Sequence, residues 1–372
     1  MMNSAYAYFL QAIPGIGNKT LQSLSLYFGS AKAIYCAPET ELSKLLKPRQ
    51  LQNFLAAREK RDPETELKIL NAKGIYYYSI EDKDYPKRLR KIPQPPFGIF
   101  VRGSLPKEGN VAAAVIGTRN HSYYGEKMTY LYTGILAECG ICVISGMARG
   151  IDGIAQNCVL QKGGQTYAVL GCGVDICYPP EHERLYRNII KTGGIISEYL
   201  PGTRPASGLF PPRNRIISGM SDFILVMEAG EKSGTLITVD MALEQGKDIL
   251  ALPGKVDDPL SCGCNRLIRE GAYMLPEPEE FREQMKAYIK NAGVTKQAEA
   301  ECEKATSGEN ELTQLETQIL SVLSYEPLTL DEILRRIPQQ GTYSCKEVAV
   351  CLTELGLKNL VLQKGGTMFL KK

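Results

Sequence analysis

From Asn110 to about Leu275 the sequence alternates short, wholly apolar runs with helical patterning, and this alternation constrains the fold more than any other feature. Val111–Ile116, Ile141–Ser145, Thr166–Leu170, Ile195–Glu198, Phe223–Glu228 and Ile249–Leu252 read as strands. Between them, Tyr123–Glu138 and the stretch up to Gln161 read as helices. Apolar strands without polar alternation, separated by helical crossovers, are buried on both faces, as in a parallel sheet. The expected fold class is α/β: a Rossmann-like parallel sheet with helices on both faces.

Five glycine-bearing or arginine-bearing turns mark the ends of those strands: Gly117-Thr118-Arg119, Ser145 to Gly150, Gly171-Cys172-Gly173, Phe210 to Arg215, and Lys232-Ser233-Gly234-Thr235. In a parallel sheet such turns gather at the carboxyl ends of the strands, where helix N-termini favour anions. Four of the five carry Arg or Lys, and none supplies a His or a well-placed carboxylate pair. That chemistry suits gripping phosphates rather than breaking bonds.

Each motif has a functional and a structural reading. Gly117-Thr118-Arg119 either brings backbone and a guanidinium to a phosphate or is a tight turn with a surface arginine. In Ser145-Gly146-Met147-Ala148-Arg149-Gly150-Ile151-Asp152, Asp152 serves a ligand, or it supports the helix start or pairs with Arg149. Phe210, Arg213, Asn214 and Arg215 stack a base and hold phosphates, or else Phe210 is core and the arginines form internal ion pairs. Lys232, Ser233 and Gly234 have phosphate-loop chemistry without the spacing of a nucleotide-hydrolysing loop. No dinucleotide fingerprint is present, so no cofactor is expected. Cys262 and Cys264 lack a second pair and the only histidines are His121 and His182, so no zinc site is expected either.

Composition adds limits. The net charge of +3 over 372 residues does not mark a general polyanion binder, so nucleic-acid affinity has to come from local clustering. Eleven cysteines without a disulfide-like rhythm fit reduced thiols. Neither a signal peptide nor a run near the ~18 apolar residues of a membrane helix is apparent, and a cytoplasmic protein is expected. Flanking the α/β unit, residues 1–75 read as a helical domain of helix-hairpin-helix (SAM-like) type. There Ile13-Pro14-Gly15-Ile16-Gly17-Asn18-Lys19-Thr20 is either a phosphate-binding hairpin or a helix-joining turn. The α/β domain is expected over 76–288 with an extended lead-in over 76–109, then a linker over 289–311. Residues 312–372 pattern as three helices and a hairpin, a winged helix. From Leu312 onward, seven basic residues face six acidic ones, a poor balance for groove binding.

Taken in order, the motifs resemble the bacterial DprA/Smf family of DNA-processing proteins. The resemblance runs from Val115 through SGMARGID at Ser145, GCGVDICYP at Gly171, SEYLPGTRP at Ser197, FPPRNRIISG at Phe210, EAGEKSGTLIT at Glu228 and ALPG at Ala251 to CNRLIREGA at Cys264. It implies a non-enzymatic protein of natural transformation that binds and protects incoming single-stranded DNA and helps load RecA. It also implies a homodimer joined through the Rossmann-like domain. Its pocket residues fall on Gly117, Thr118, Arg119, Phe210, Arg213, Asn214, Arg215, Lys232, Ser233 and Gly234. Gly146, Arg149, Gly150 and Asp152 belong to the same signature, and Gly146 and Arg149 are counted with the expected DNA contacts. The competing reading is a phosphoribohydrolase of the same architecture acting on nucleoside monophosphates. Those enzymes carry a PGGxGTxxE-type turn, and here Ile237 and Thr238 stand where its acid falls. A third is a nucleotide-sensing scaffold.

Overall fold

Alternate residues of each central strand face opposite ways, and both sides are apolar, which is why the sheet is buried on both faces. Ala112, Ala114 and Ile116 join one core with Ile144, Val169, Ile224 and Val226. Val111, Ala113 and Val115 join the other with Val143, Phe223 and Leu225. Full burial of each valine, isoleucine, leucine or phenylalanine among them contributes about 1.5–3 kcal/mol.

The structure is a computed structural model that describes residues 2–291, 313–323, 328–337, 343–357, 360–364 and 368–371. Nine strands form the main sheet: β1 (Tyr76–Ser79), β2 (Gly98–Gly103), β3 (Ala112–Ile116), β4 (Cys142–Ser145), β5 (Thr166–Val169), β6 (Gly194–Ser197), β7 (Phe223–Val226), β8 (Asp248–Ala251) and β9 (Tyr273–Met274). Their order is β1-β2-β6-β5-β4-β3-β7-β8-β9. From β6 across to β9 every pairing is parallel. The extended lead-in supplies β1 and β2, which pair antiparallel at one edge, so the whole sheet is mixed.

Helices Tyr123–Glu138, Ile151–Gln161 and Pro278–Asn291 cover one face, sealed by Tyr132, Ile135, Ala155 and Phe281. Helices Phe210–Gly219, Thr235–Glu244 and Cys262–Arg269 cover the other through Ile216, Val239 and Leu267. The chain leaves β3 toward β4 but returns from β6 to β7 on the far side of β3. The carboxyl ends of these strands therefore line a topological switch point.

Residues 2–72 are helical and belong to the same compact unit as the sheet, packing Phe9, Leu10, Leu24 and Phe54 with Tyr77 and Phe100. The turn at 13–20 is tied down. Gln50 donates to the Gly15 carbonyl at 2.7 Å and Asn53 to the Pro14 carbonyl at 2.9 Å. Asn18 donates to the Pro95 carbonyl and accepts from the Phe97 amide. These bonds favour the helix-joining reading of that turn.

The second unit contains helices Gln314–Val322, Leu330–Arg336 and Cys345–Leu357 and a small sheet ordered β10-β12-β11. Its strands are β10 (Leu328–Thr329), β11 (Val361–Lys364) and β12 (Met368–Lys371), around a core of Ile319, Ile333, Val348, Leu352 and Leu355. The hairpin tip at 365–367 and most of the expected linker lie outside the described residues. Three acids of this unit act as helix caps: Glu316 with Thr313, Glu332 with Thr329, and Glu347 with Ser344.

Candidate functional site

At the end of β3 the chain turns through Gly117, Thr118 and Arg119 against the turn that follows β4. Ile151 donates to the Thr118 carbonyl at 3.2 Å. A Cβ on Gly117 would lie 2.6 Å from Ile151 Cγ1, and one on Gly150, whose φ is +76°, would lie 2.4 Å from the Thr118 oxygen. Glycine at these two positions lets two turns of the protein approach each other. Arg119 is left exposed above them.

Beneath that rim lies a buried polar centre. Arg213 is 5% exposed and Asp152 8%. Arg213 Nη1 donates to the Gly146 carbonyl at 2.9 Å and also to the Val169 carbonyl. Its Nε donates to Asn214 Oδ1 at 3.1 Å, which engages that amide. Asp152 accepts from the Gly146 amide at 3.0 Å. Burial lifts the Asp152 carboxyl above its ordinary range, with the Arg213 charge acting against it.

Phe210 bridges floor and rim. Its ring stacks on Tyr178 at 5.5 Å between centroids and 26° between planes. The guanidinium carbons of Arg119 and Arg213 lie 5.8 and 6.0 Å from the Phe210 centroid. A Cβ on Gly171 would meet Phe210 Cδ1 at 2.7 Å, so that glycine makes room for the ring. The result is a cleft lined by Arg119, Ala148, Arg149, Tyr178 and Phe210, with Gly146, Gly171 and Arg213 at its base.

The segment after the third turn forms one wall and clamps the second turn. Arg149 Nε donates to Glu181, and His182 Nδ1 lies 3.1 Å from the Met147 carbonyl. Met147 is fully buried with φ +52°, a conformation unusual for a side-chain-bearing residue, and the His182 contact helps hold it.

Several expected contacts face elsewhere. Arg215 forms a two-pronged pair with Glu198 at 2.8 and 2.6 Å and donates to the Gln94 carbonyl. Arg215 is therefore held away from the cleft, whereas Arg213 stays at the cleft's base with Nε and Nη1 engaged by protein oxygens. Ser233 donates to Thr235 Oγ1 at 2.9 Å beyond β7. Lys232, Ser233 and Gly234 do not line the cleft. Phe210 begins a helix thirteen residues past the end of β6 rather than sitting in a strand-end turn.

Open helix N-termini are also fewer than expected. The helix starting at Tyr123 is capped by Ser122, whose oxygen accepts from Gly125. Ser122 in turn donates its amide, at 2.9 Å, and its hydroxyl to Glu228. Asp152 occupies the start of the next helix, and Pro211 and Pro212 bring no N–H to the helix at Phe210. Exposed guanidinium groups, not amides, dominate the rim. Two contributors were not singled out from sequence: Glu228, an acid closing an apolar strand, and Tyr178, an aromatic residue just before a Pro-Pro pair. Among the described residues lining the cleft there is no carboxylate.

Comparison with known proteins shows the family. Residues 76–286 match the family model of DNA recombination-mediator protein A, and residues 303–367 match the DprA winged helix domain. Protein Smf of Escherichia coli is 40% identical over 238 residues, which are 64% of this chain and 63% of that protein's length. Protein Smf of Synechocystis is 34% identical over 283 residues, 74% of this chain and 71% of the relative. The X-ray structure of DNA processing protein A from Streptococcus pneumoniae superposes with a TM-score of 0.66 at 32% identity, covering 74% of this chain and 95% of that one. DNA processing protein A of Helicobacter pylori, described as having a unique single-stranded DNA binding mode, superposes with a TM-score of 0.51 at 28% identity. It covers 56% of this chain and 95% of that one. With more than half its length matched, from the antiparallel lead-in to the last helix over the sheet, the chain belongs to the DNA recombination-mediator protein A family.

Proposed function

We propose that this protein binds single-stranded DNA in the cleft at the carboxyl ends of β3, β4 and β5, and holds it without cleaving it. The observation that carries the reading is the exposed Arg119 guanidinium poised over Phe210, with Phe210 stacked on Tyr178. A phosphate drawn to Arg119 brings its base beside two aromatic rings, the division of labour suited to an unpaired strand. Arg149, exposed on the neighbouring turn, supplies a second phosphate contact, and Lys232 adds charge farther along the same sheet edge. Arg213, Asn214 and Arg215 support the cleft from within, and the glycines at 117, 146 and 171 make room for Ile151, Arg213 and Phe210 respectively.

In the cell this reading makes the protein a mediator of recombination that protects single strands and passes them to RecA, acting as a homodimer through the α/β unit. Family membership and the relatives' DNA-processing names support the recombination role.

The test is a comparison of ligands on the purified full chain. Fluorescence anisotropy should give far tighter binding for a thymidine oligomer several nucleotides long than for thymidine monophosphate. Equal affinity for the two, or release of free base from a nucleoside monophosphate, would overturn the reading.

A further inference from the structure

Two helices that begin at the cleft, Tyr123–Glu138 and Ile151–Gln161, pack side by side on one face of the sheet. Each starts next to an exposed cation of the cleft, Arg119 before the first and Arg149 before the second. Down the outer side of the first helix, Tyr123 is 59% exposed and Tyr130 41%, although its inner side packs Tyr132, Ile135 and Leu136 into the core. Lys127 lies between the two tyrosines. Residues at spacings of four and three fall on one helical face, and seven residues span about 10.5 Å of axis.

Polar groups from both helices line this face. The Tyr130 hydroxyl donates to Gln161 at the end of the second helix, which fixes the ring. Asn157 is exposed on that helix, and Lys162 follows it with Nζ 3.0 Å from Glu138. Glu126 is the acid in the first turn of the helix. Exposed rings separated by a cation and flanked by amides do not make the contiguous apolar centre of a protein–protein contact. They match what an unpaired strand requires: flat faces for bases and charge for the phosphates between them.

We propose that this face is a second stretch of the DNA track. A single strand leaving the cleft past Arg119 runs along the two helices, with bases stacked on Tyr123 and Tyr130 and the intervening phosphate drawn to Lys127. The inference rests on the single-strand reading of the cleft and extends the binding site by about two helical turns.

Thymidine oligomers of increasing length, titrated by anisotropy against the full chain, test it. Oligomers that fill only the cleft should bind the wild type and Y123A/Y130A alike. Longer ones should bind the double variant at least about fivefold more weakly, the lower end of what one stacked base contributes. Equal affinity of the two proteins for the longest oligomer would overturn the inference. Because the chain contains no tryptophan, Tyr123→Trp gives a single reporter. Its fluorescence should be quenched only by oligomers long enough to leave the cleft, and an unquenched reporter with the longest oligomer would also contradict the track. Arg119→Ala separates the two levels. If it weakens every length while the tyrosine variant stays neutral, the track alone fails; if it weakens none, the cleft and the track fail together.

Discussion

Arg213 lies against Gly146 so closely that the glycine has no room for a side chain. Its Nη1 donates to the Gly146 carbonyl at 2.9 Å, and a Cβ on Gly146 would stand 2.7 Å from Nη2. The guanidinium cannot swing away without losing its bonds to two carbonyls in a buried site. Gly146→Ala is therefore expected to destabilise the fold by about 1–3 kcal/mol, the range for overpacking a tight core. A urea melt showing a lower midpoint with unchanged slope checks this, and an unchanged midpoint would refute the packing argument.

The buried Asp152 carboxyl under the cleft gives a pH signature. Burial is the largest influence on Asp152 and lifts its carboxyl above the ordinary 3.8, opposed by Arg213 and by donors at Gly146, Ala148 and Ser145. The folded chain thus holds this proton more tightly than the unfolded chain. Its contribution to stability is greatest below pH 3.8 and falls as pH rises through the window up to the lifted value, then stays level. Asp152→Asn removes that titration. Urea midpoints across this pH range should show the wild type declining relative to the variant; parallel curves would contradict the assignment.

Glu181 holds the exposed Arg149, and the hydrogen bond from Arg149 keeps its carboxyl below the usual range. An incoming phosphate has to displace it. Glu181→Gln should tighten single-strand binding by no more than about fivefold, as expected for an exposed pair. The salt dependence should steepen, by up to about 0.7 in the log–log slope if one more phosphate is contacted. Both gains should vanish in the Glu181→Gln/Arg149→Ala double variant. An unchanged affinity and slope in the single variant would show that Arg149 does not reach DNA.

The framework was legible because it is encoded locally. The wholly apolar runs at Val111–Ile116 and Phe223–Glu228 admit little besides buried strands, and the three helices and hairpin after Leu312 follow from periodicity. The interior of the site was not legible, because its partners come from distant turns. Nothing near Arg213 in sequence announces Gly146 or Val169, and nothing near Arg215 marks Glu198 as its partner. A basic cluster in FPPRNR reads as a phosphate grip until the fold turns two of its three polar side chains inward and gives the third, Asn214, to Arg213. Nor does the sequence show that Gly146 and Gly171 make room for Arg213 and Phe210. Acids in the tail were weighed against DNA, although Glu316, Glu332 and Glu347 cap helices.

The most direct test of the central claim is the salt dependence of binding to one sequence as a single strand and as a duplex, measured by anisotropy for the wild type and Arg119→Ala. The wild type should bind the single strand more tightly than the duplex. Arg119→Ala should bind more weakly, with a log–log slope shallower by about 0.7, the loss of one phosphate contact. Equal affinity for duplex and single strand, or an Arg119→Ala slope identical to wild type, would contradict that claim.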